Sequence, residues 1–477
     1  MVEKMVEMSY LNQKSGVMRP LNGLLTFCCF FFGLIIIPTL SFWGDEDRVY
    51  SLIFCSYYLL TLYTVWIAGN KQIQPYLLFY LTFGLFIGGR FWVNLLGYER
   101  NVFEPTFFYS YIVNQDRKVA LLQQVMGFMC CSSIGYVFSK RRTAIGQFKI
   151  DLVFSARMAN RINLLLRRLF LFITIYVLWS YSSKLMAALE SGYLSLYLEK
   201  QSSEHGTGSS LLGALFTVSV GLAMGYGDYK NKRNYLILWV ISSLFMVIIG
   251  SRASFGVTLL LLLWIYAQYH KVNLRKLFLL CVACMGVLLF VFSFSIRQVE
   301  SGGQFSNVWE LILMFLYDQG ITLMVFDVSK LVDSYPILTY FTRFFPAVGG
   351  IASLLTGETY YPQDLSPSGY MCHLLNPVLY FGGQGLGWSI LSELHLYSFG
   401  VLPLFFLLSL VWGYWVGRLE HWATYSRFFK SYIYIVMPGL LMLPRASVAA
   451  IFPYIFYLLV YLFVILFFTK HKRYKKC

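Results

Sequence analysis

The chain has 477 residues, 58% of them hydrophobic and 13% charged, with a mean hydropathy of +0.62. Soluble domains carry roughly a quarter charged residues, so the composition excludes an ordinary water-soluble enzyme. The formal charge of +16 would suit a polyanion, either nucleic acid or acidic lipid, and the placement of the charges along the chain decides which.

A membrane-spanning helix needs about 20 mostly apolar residues, because backbone amides in lipid must be satisfied within the helix. In chain order, such runs cover 21–42, 50–68, 75–97, 119–138, 169–187, 209–227, 234–250, 253–269, 277–296, 400–417, 431–444 and 447–468. They predict an all-α, polytopic protein of about twelve transmembrane helices, forming a single membrane domain over 1–477. The first run follows Lys4, Lys14 and Arg19 but lacks a small-residue cleavage site, so it reads as an uncleaved anchor.

With the N-terminus inside, the cytoplasmic segments are the first 20 residues, 69–74, a basic loop at 139–168, 228–234, 270–276, 418–430 and 469–477. These hold 26 of the 38 Lys and Arg but 5 of the 22 acids, a net +21 against −5 for the rest. The pattern obeys the positive-inside rule and places both termini in the cytoplasm. It explains the basic excess as an inner-leaflet signature and leaves no case for nucleic acid.

Segment 297–399 breaks the rhythm, being too long and too apolar for an ordinary loop. Its parts 308–326 and 337–355 imitate spans, yet Glu310, Asp318 and Asp327 interrupt the first, and a cytoplasmic turn between them would set one Lys against Asp333. The expectation is a large, partly helical outward loop whose short helices lie on or dip into the outer leaflet. Tyr335, Tyr340, Tyr360, Tyr361 and Tyr370 would sit at the interface. A shorter outward segment, 98–118, carries Glu99, Arg100, Glu104, Asp116 and Arg117. Of nine cysteines, only Cys372 falls on the outward side, and Cys281 and Cys284 read as packing residues within a span rather than a redox pair.

No soluble-enzyme motif is present, and six histidines without ligand spacing give no reason to expect a metal or cofactor. Gly382-Gly383-Gln384-Gly385-Leu386-Gly387 is either a phosphate loop or a turn leading into a helix, and a lone glycine cluster favours the turn. The arginines carry more information. Arg252 lies in Gly250-Ser251-Arg252-Ala253-Ser254 and Arg445 in Leu443-Pro444-Arg445-Ala446-Ser447, each a tight turn between an outgoing and a returning helix. Arg297 ends the ninth run, Arg343 opens the second apolar stretch of the large loop, and Arg90 follows Gly88-Gly89 within the third run. Charges at such depth face a cavity or a partner, or else snorkel to the interface. A cluster of guanidinium forks on the outer side suits a lipid-linked diphosphate.

Among the outward acids, Glu393 stands in Gly385-Leu386-Gly387-Trp388-Ser389-Ile390-Leu391-Ser392-Glu393, where a helix begins. Ser389 and Glu393 share one helix face, and Ser392 and His395 another. A partly buried carboxylate here suits a general base, with helix capping or pairing to a nearby arginine as the alternatives. His373, His395 and Ser389 are secondary candidates.

The crossing pattern with one large late loop, Gly250-Ser251-Arg252 after an apolar run, and the Gly-x-Gly-x-Ser-x-x-x-Glu pattern from Gly385 followed by Phe399-Gly400 resemble the Wzy-type polymerases of O-antigen and other oligosaccharide repeat units. The family asparagine before Phe-Gly is Ser398 here. The resemblance implies a GT-C-like glycosyltransferase of the bacterial inner membrane, acting on its periplasmic face. There it would transfer a growing glycan from undecaprenyl diphosphate to the terminal sugar of a new lipid-linked unit, with a chain-length-determining co-polymerase as partner. Arg252, Arg297, Arg343 and Arg445, with Arg90 as a weaker member, would then hold the diphosphate, and Glu393 would deprotonate the acceptor. An O-antigen ligase would share the reaction type and the arginines. A lipid-linked oligosaccharide flippase would show two similar halves, which are absent here, and a non-catalytic scaffold leaves the arginines unexplained.

Overall fold

The computed structural model describes residues 46–140, 156–192, 207–249, 252–270 and 308–470, with short pieces inside 28–40 and 275–286. All regular structure among these residues is helical. The first half comprises α1 (Asp47–Ala68), α2 (Pro75–Phe86), α3 (Gly89–Leu95), α4 (Gln115–Lys140), α5 (Ala156–Ser191), α6 (Thr207–Tyr226), α7 (Tyr229–Ile249) and α8 (Arg252–Tyr269). The second half opens with α9 (Val308–Gln319), α10 (Thr322–Ser329), α11 (Ile337–Phe341) and α12 (Val348–Thr356). It continues through α13 (Pro362–Leu365), α14 (Pro367–Leu375), α15 (Pro377–Phe381) and α16 (Ile390–Tyr397), and closes with α17 (Leu402–Tyr425), α18 (Arg427–Met442) and α19 (Pro453–Lys470).

Among the described residues, six helices are long and apolar enough to cross a membrane: Asp47–Ala68, Gln115–Lys140, Ala159–Ser191, Tyr229–Ile249, Trp309–Ser329 and Leu402–Tyr425. The pair α2 and α3, bent by 61°, would be a seventh. Leu211–Tyr226, Ala253–Tyr269 and Val448–Val464 are shorter apolar helices, while 21–42 and 277–296 lie largely outside the described residues. The chain is thus a multi-pass membrane protein, with six or seven such spans among the described residues where the apolar runs suggest twelve in the whole chain.

Trp309–Ser329 is the segment whose acids argue against a crossing, and it qualifies by length and composition, 61% of it buried inside the protein. The last of its three acids is fully paired. Asp327 is paired with Arg117 and Lys330, and the Tyr317 hydroxyl donates to Asn101 O and to Glu104. Arg117, Asn101 and Glu104 bring the segment against 98–118 and the start of α4.

Helix α4 fixes the two ends of the bundle. From Arg117 to Lys140 it rises about 35 Å at 1.5 Å per residue, enough to cross the hydrocarbon core. At its C-terminal end, Lys140 pairs with Glu420 at 2.6 Å, and the same carboxylate accepts from the Tyr136 hydroxyl and the Tyr76 amide. Arg167 pairs with Asp228 between α5 and the start of α7. At the opposite end of α4, Lys118 reaches Asp47 and Arg117 reaches Asp327.

Between these ends lies an aromatic core. Tyr76 stacks on Tyr136 and Phe83 on Phe128, and the Tyr80 hydroxyl donates to Thr61. Helices α4 and α17 touch along Gly135, Gly413 and Gly417: a methyl at Gly413 would collide with the Ser132 carbonyl, and one at Gly135 with that of Leu410. Small residues that admit such close backbone approach are the usual device for joining helices in lipid, where no hydrophobic drive favours association.

Candidate functional site

The site is built at the Arg117 end of the bundle from three segments distant in sequence. The first is the turn into α16. Gly383 and Gly387 have φ of +81° and +78°, conformations that only glycine adopts cheaply, and they turn the chain from α15 into the next helix. Ser389 is the N-cap: its Oγ accepts from the Ser392 amide at 3.0 Å and lies 2.8 Å from the Ser392 hydroxyl. One turn later stands Glu393, 1% exposed, and neither of its carboxylate oxygens has a hydrogen-bond partner.

The second segment is the turn after α11, which presents Arg343. Its Nε lies 3.8 Å from Glu393 Oε1, Nη1 donates to Ser447 Oγ at 2.8 Å, and Nη2 donates to Ser366 Oγ at 3.3 Å. Burial pushes the Glu393 carboxyl above its ordinary range, while Arg343 opposes that rise from one side. The Ser447 hydroxyl, the Trp388 indole and the Val448 amide also favour the charged form, facing the carboxylate from outside hydrogen-bond geometry. Burial also lowers the Arg343 guanidinium, with Glu393 working against it. A guanidinium starts so high that it stays charged throughout.

The third segment is the turn between α18 and α19, made of two short 3-10 turns, Leu443–Arg445 and Val448–Ala450. Ser447 caps the second of these by accepting from Ala449 N. Two residues before Ser447, the half-buried Arg445 donates to Gln319 Oε1 at 2.9 Å, and its guanidinium lies 5.9 Å from the centre of the Phe86 ring. Two arginines from different segments and one buried carboxylate therefore gather around a single turn.

The other candidates separate. Arg90 is 4% exposed, donates to the carbonyls of Val102 and Glu104 at 3.2 and 2.6 Å, and lies over the Tyr317 ring. It fastens the segment 98–104 rather than joining Glu393. Arg252 begins α8, with its side chain outside the described residues, and Arg297 lies outside them altogether, as do Cys281 and Cys284. His373 packs edge-on against Tyr380 and Phe381. His395 packs against Phe326, and burial, aided by Lys330, lowers it to about 4, so it is neutral near pH 7. Ser389 is a helix cap. The buried Cys372 is a free thiol whose sulfur accepts from Leu386 N.

Phe399-Gly400 forms a left-handed turn between α16 and α17, with φ of +51° and +74°. The Ser398 hydroxyl, where the resemblance leads one to expect asparagine, donates to His395 O at 2.9 Å.

A second charged cluster is invisible in the sequence. Asp327, fully buried, takes Arg117 Nε at 2.7 Å, the Tyr111 hydroxyl at 2.7 Å and Lys330 Nζ at 3.2 Å. Among the described residues, no group of three His, Cys, Asp or Glu comes together.

The sequence matches the family O-antigen polysaccharide polymerase Wzy over residues 24–476, nearly its whole length. The chain belongs to the Wzy family. No curated protein and no solved structure matches it. Membership makes this chain a polysaccharide polymerase of O-antigen repeat units. The Wzy match spans every segment that contributes to the site, from α2 with Phe86 to the turn holding Arg445 and Ser447.

Proposed function

We propose that this Wzy chain extends a glycan carried on a polyprenyl diphosphate, at the end of the bundle where Arg343, Glu393 and Arg445 meet. The charge pattern supports a periplasmic position for that end in a bacterial inner membrane, with both termini in the cytoplasm. The observation that carries the reading is a carboxylate 1% exposed and without a hydrogen bond, facing a guanidinium from another segment at 3.8 Å. A buried carboxylate with a raised proton affinity, held beside a guanidinium, is what a base acting next to an anionic leaving group requires.

In the reaction, the acceptor hydroxyl oxygen forms a bond to the anomeric carbon of the growing chain, and the bond from that carbon to the lipid diphosphate breaks. The hydroxyl proton passes to Glu393, and the electron pair leaves on the diphosphate. Arg343 and Arg445, joined by Arg252 and Arg297, hold the diphosphate, with Arg343 exchanging its serine hydroxyls for phosphate oxygens. Fixed cations stabilise that leaving group directly, so no metal or acid is needed to expel it. Proteoliposomes given the lipid-linked repeat unit that accumulates in cells lacking this chain test the reading. Wild-type protein should lengthen the unit unaided, and Glu393→Gln, at equal protein level, should leave single units. Undiminished chain growth by Glu393→Gln would remove Glu393 from the mechanism, and the same assay on Arg252→Ala decides the place of Arg252.

A further inference from the structure

Three buried polar groups have no hydrogen bond, the Glu393 carboxylate, Arg343 Nε and the indole nitrogen of Trp388, and the last two both face the carboxylate. Trp388 is 3% exposed and immediately precedes the cap of α16, so its ring is fixed by the same turn that sets Glu393 in place. Tyr335 packs edge-on against the Trp388 ring, with centroids 5.8 Å apart. A buried donor without a partner, next to a buried acceptor without one, costs stability and is kept where function uses it. We propose that Trp388 is a positioning residue for Glu393, its indole N–H engaging the carboxylate when an incoming diphosphate draws Arg343 away.

The inference rests on the reading of Glu393 as the base. Arg343 lies within ion-pair distance of Glu393. The groups facing the carboxylate are Arg343 from the turn after α11, Tyr397 from α16 itself, Ser447 and the Val448 amide from the turn after α18, and Trp388. If Arg343 turns to a phosphate, Glu393 loses its counter-ion and its proton affinity rises, which favours proton transfer at the moment the donor is bound. The carboxylate must still be held in place, and a neutral donor does this without restoring a charge. The indole is donor-only and cannot take the proton back.

The test is Trp388→Phe in the proteoliposome assay, with the acidic limb of kcat against pH as readout, together with an infrared titration of the protonated Glu393 carboxyl, assigned by its loss in Glu393→Gln. Removing a donor to the carboxylate should raise the acidic limb by about one pH unit and lower kcat roughly tenfold. KM for the lipid-linked unit should stay within about twofold, since the indole does not touch it in this reading. Trp388→His, which keeps a ring N–H, should restore the limb partly, and it also serves if the Phe variant does not fold. An unmoved limb and carboxyl band in both variants overturn the role of Trp388 while leaving Glu393 as base. Full activity in Glu393→Gln overturns the base itself, a separate result.

Discussion

Replacing Arg343 by Met should destabilise the protein in a way that depends steeply on pH. The partner left behind, Glu393, is 1% exposed with no hydrogen bond, so an uncompensated carboxylate there would be costly. Its escape is to take a proton. Holding a carboxyl of ordinary value 4.5 neutral at pH 7 costs about 3.4 kcal/mol, from 2.5 units at 1.36 kcal/mol each. That figure caps the electrostatic part of the loss, and at pH 5 it falls to about 0.7 kcal/mol.

The sign follows from proton uptake. A carboxyl raised in the folded state binds more protons there than when unfolded, so stability falls as pH climbs from about 4.5 through the folded value. Removing Arg343 widens that window upward. Heating detergent-solubilised protein and following the folded fraction by size-exclusion chromatography should show a large deficit for Arg343→Met at pH 7.5 and a small one at pH 5. The double variant Arg343→Met with Glu393→Gln should recover most of the loss at the higher pH. A deficit equal at both pH values, or strictly additive losses in the double variant, would refute the reasoning.

Four further outcomes are expected. Asp327→Asn leaves Arg117 and Lys330 facing each other without a counter-charge and should cost about 3–5 kcal/mol of stability, whereas Arg117→Met should cost less, because Lys330 still lies 3.2 Å from Oδ1. Gly413→Ala should lower the yield of folded protein, at about 1–3 kcal/mol for overpacking against Ser132, while Gly213→Ala, with open space around it, should be silent in the same chromatographic assay. His395→Gln should leave the pH–rate profile between pH 5.5 and 8 unchanged, since His395 is held at about 4. A cysteine at Glu358 should react with an impermeant maleimide in intact spheroplasts, and one at Lys71 only after lysis; the reverse pattern would invert the proposed orientation.

The apolar runs were legible because the bilayer imposes one length on every crossing. Most of them reappear as helices, but the run 75–97 is bent at Gly88-Gly89, where Gly89 meets the backbone of Leu316 and Gly320. A contact partner more than two hundred residues away cannot be read locally. The same holds for Asp327, whose charge counts against a crossing in the sequence but is paired with Arg117 of α4, 210 positions away.

At the site, the opening of α16 was readable down to its serine cap and its carboxylate, because the glycines, Ser389 and Glu393 follow one another within about ten residues of chain. Pairing with an arginine was one of the alternatives open for Glu393, but its partner, Arg343, lies fifty residues away and reaches it only through the fold. Arg90 has partners that the sequence does not show. A guanidinium at that depth needs oxygen partners, and its Nη1 finds them in the backbone carbonyls of 102 and 104, while its buried Nε has none among the described residues.

The glycine seam between α4 and α17 has a mechanical consequence. Two helices whose backbones touch along their length bend and tilt together, and this pair is bolted by Lys140 and Glu420 at one end. At the other end it carries Arg117 of the Asp327 cluster on α4 and continues, through the Phe399-Gly400 turn, into the helix bearing Glu393. The pair is therefore a stiff mast that holds the carboxylate still. In the proposed reaction, the parts free to yield to two bulky glycans would be those around it, the turn that carries Arg343 and the paired 3-10 turns with Arg445 and Ser447.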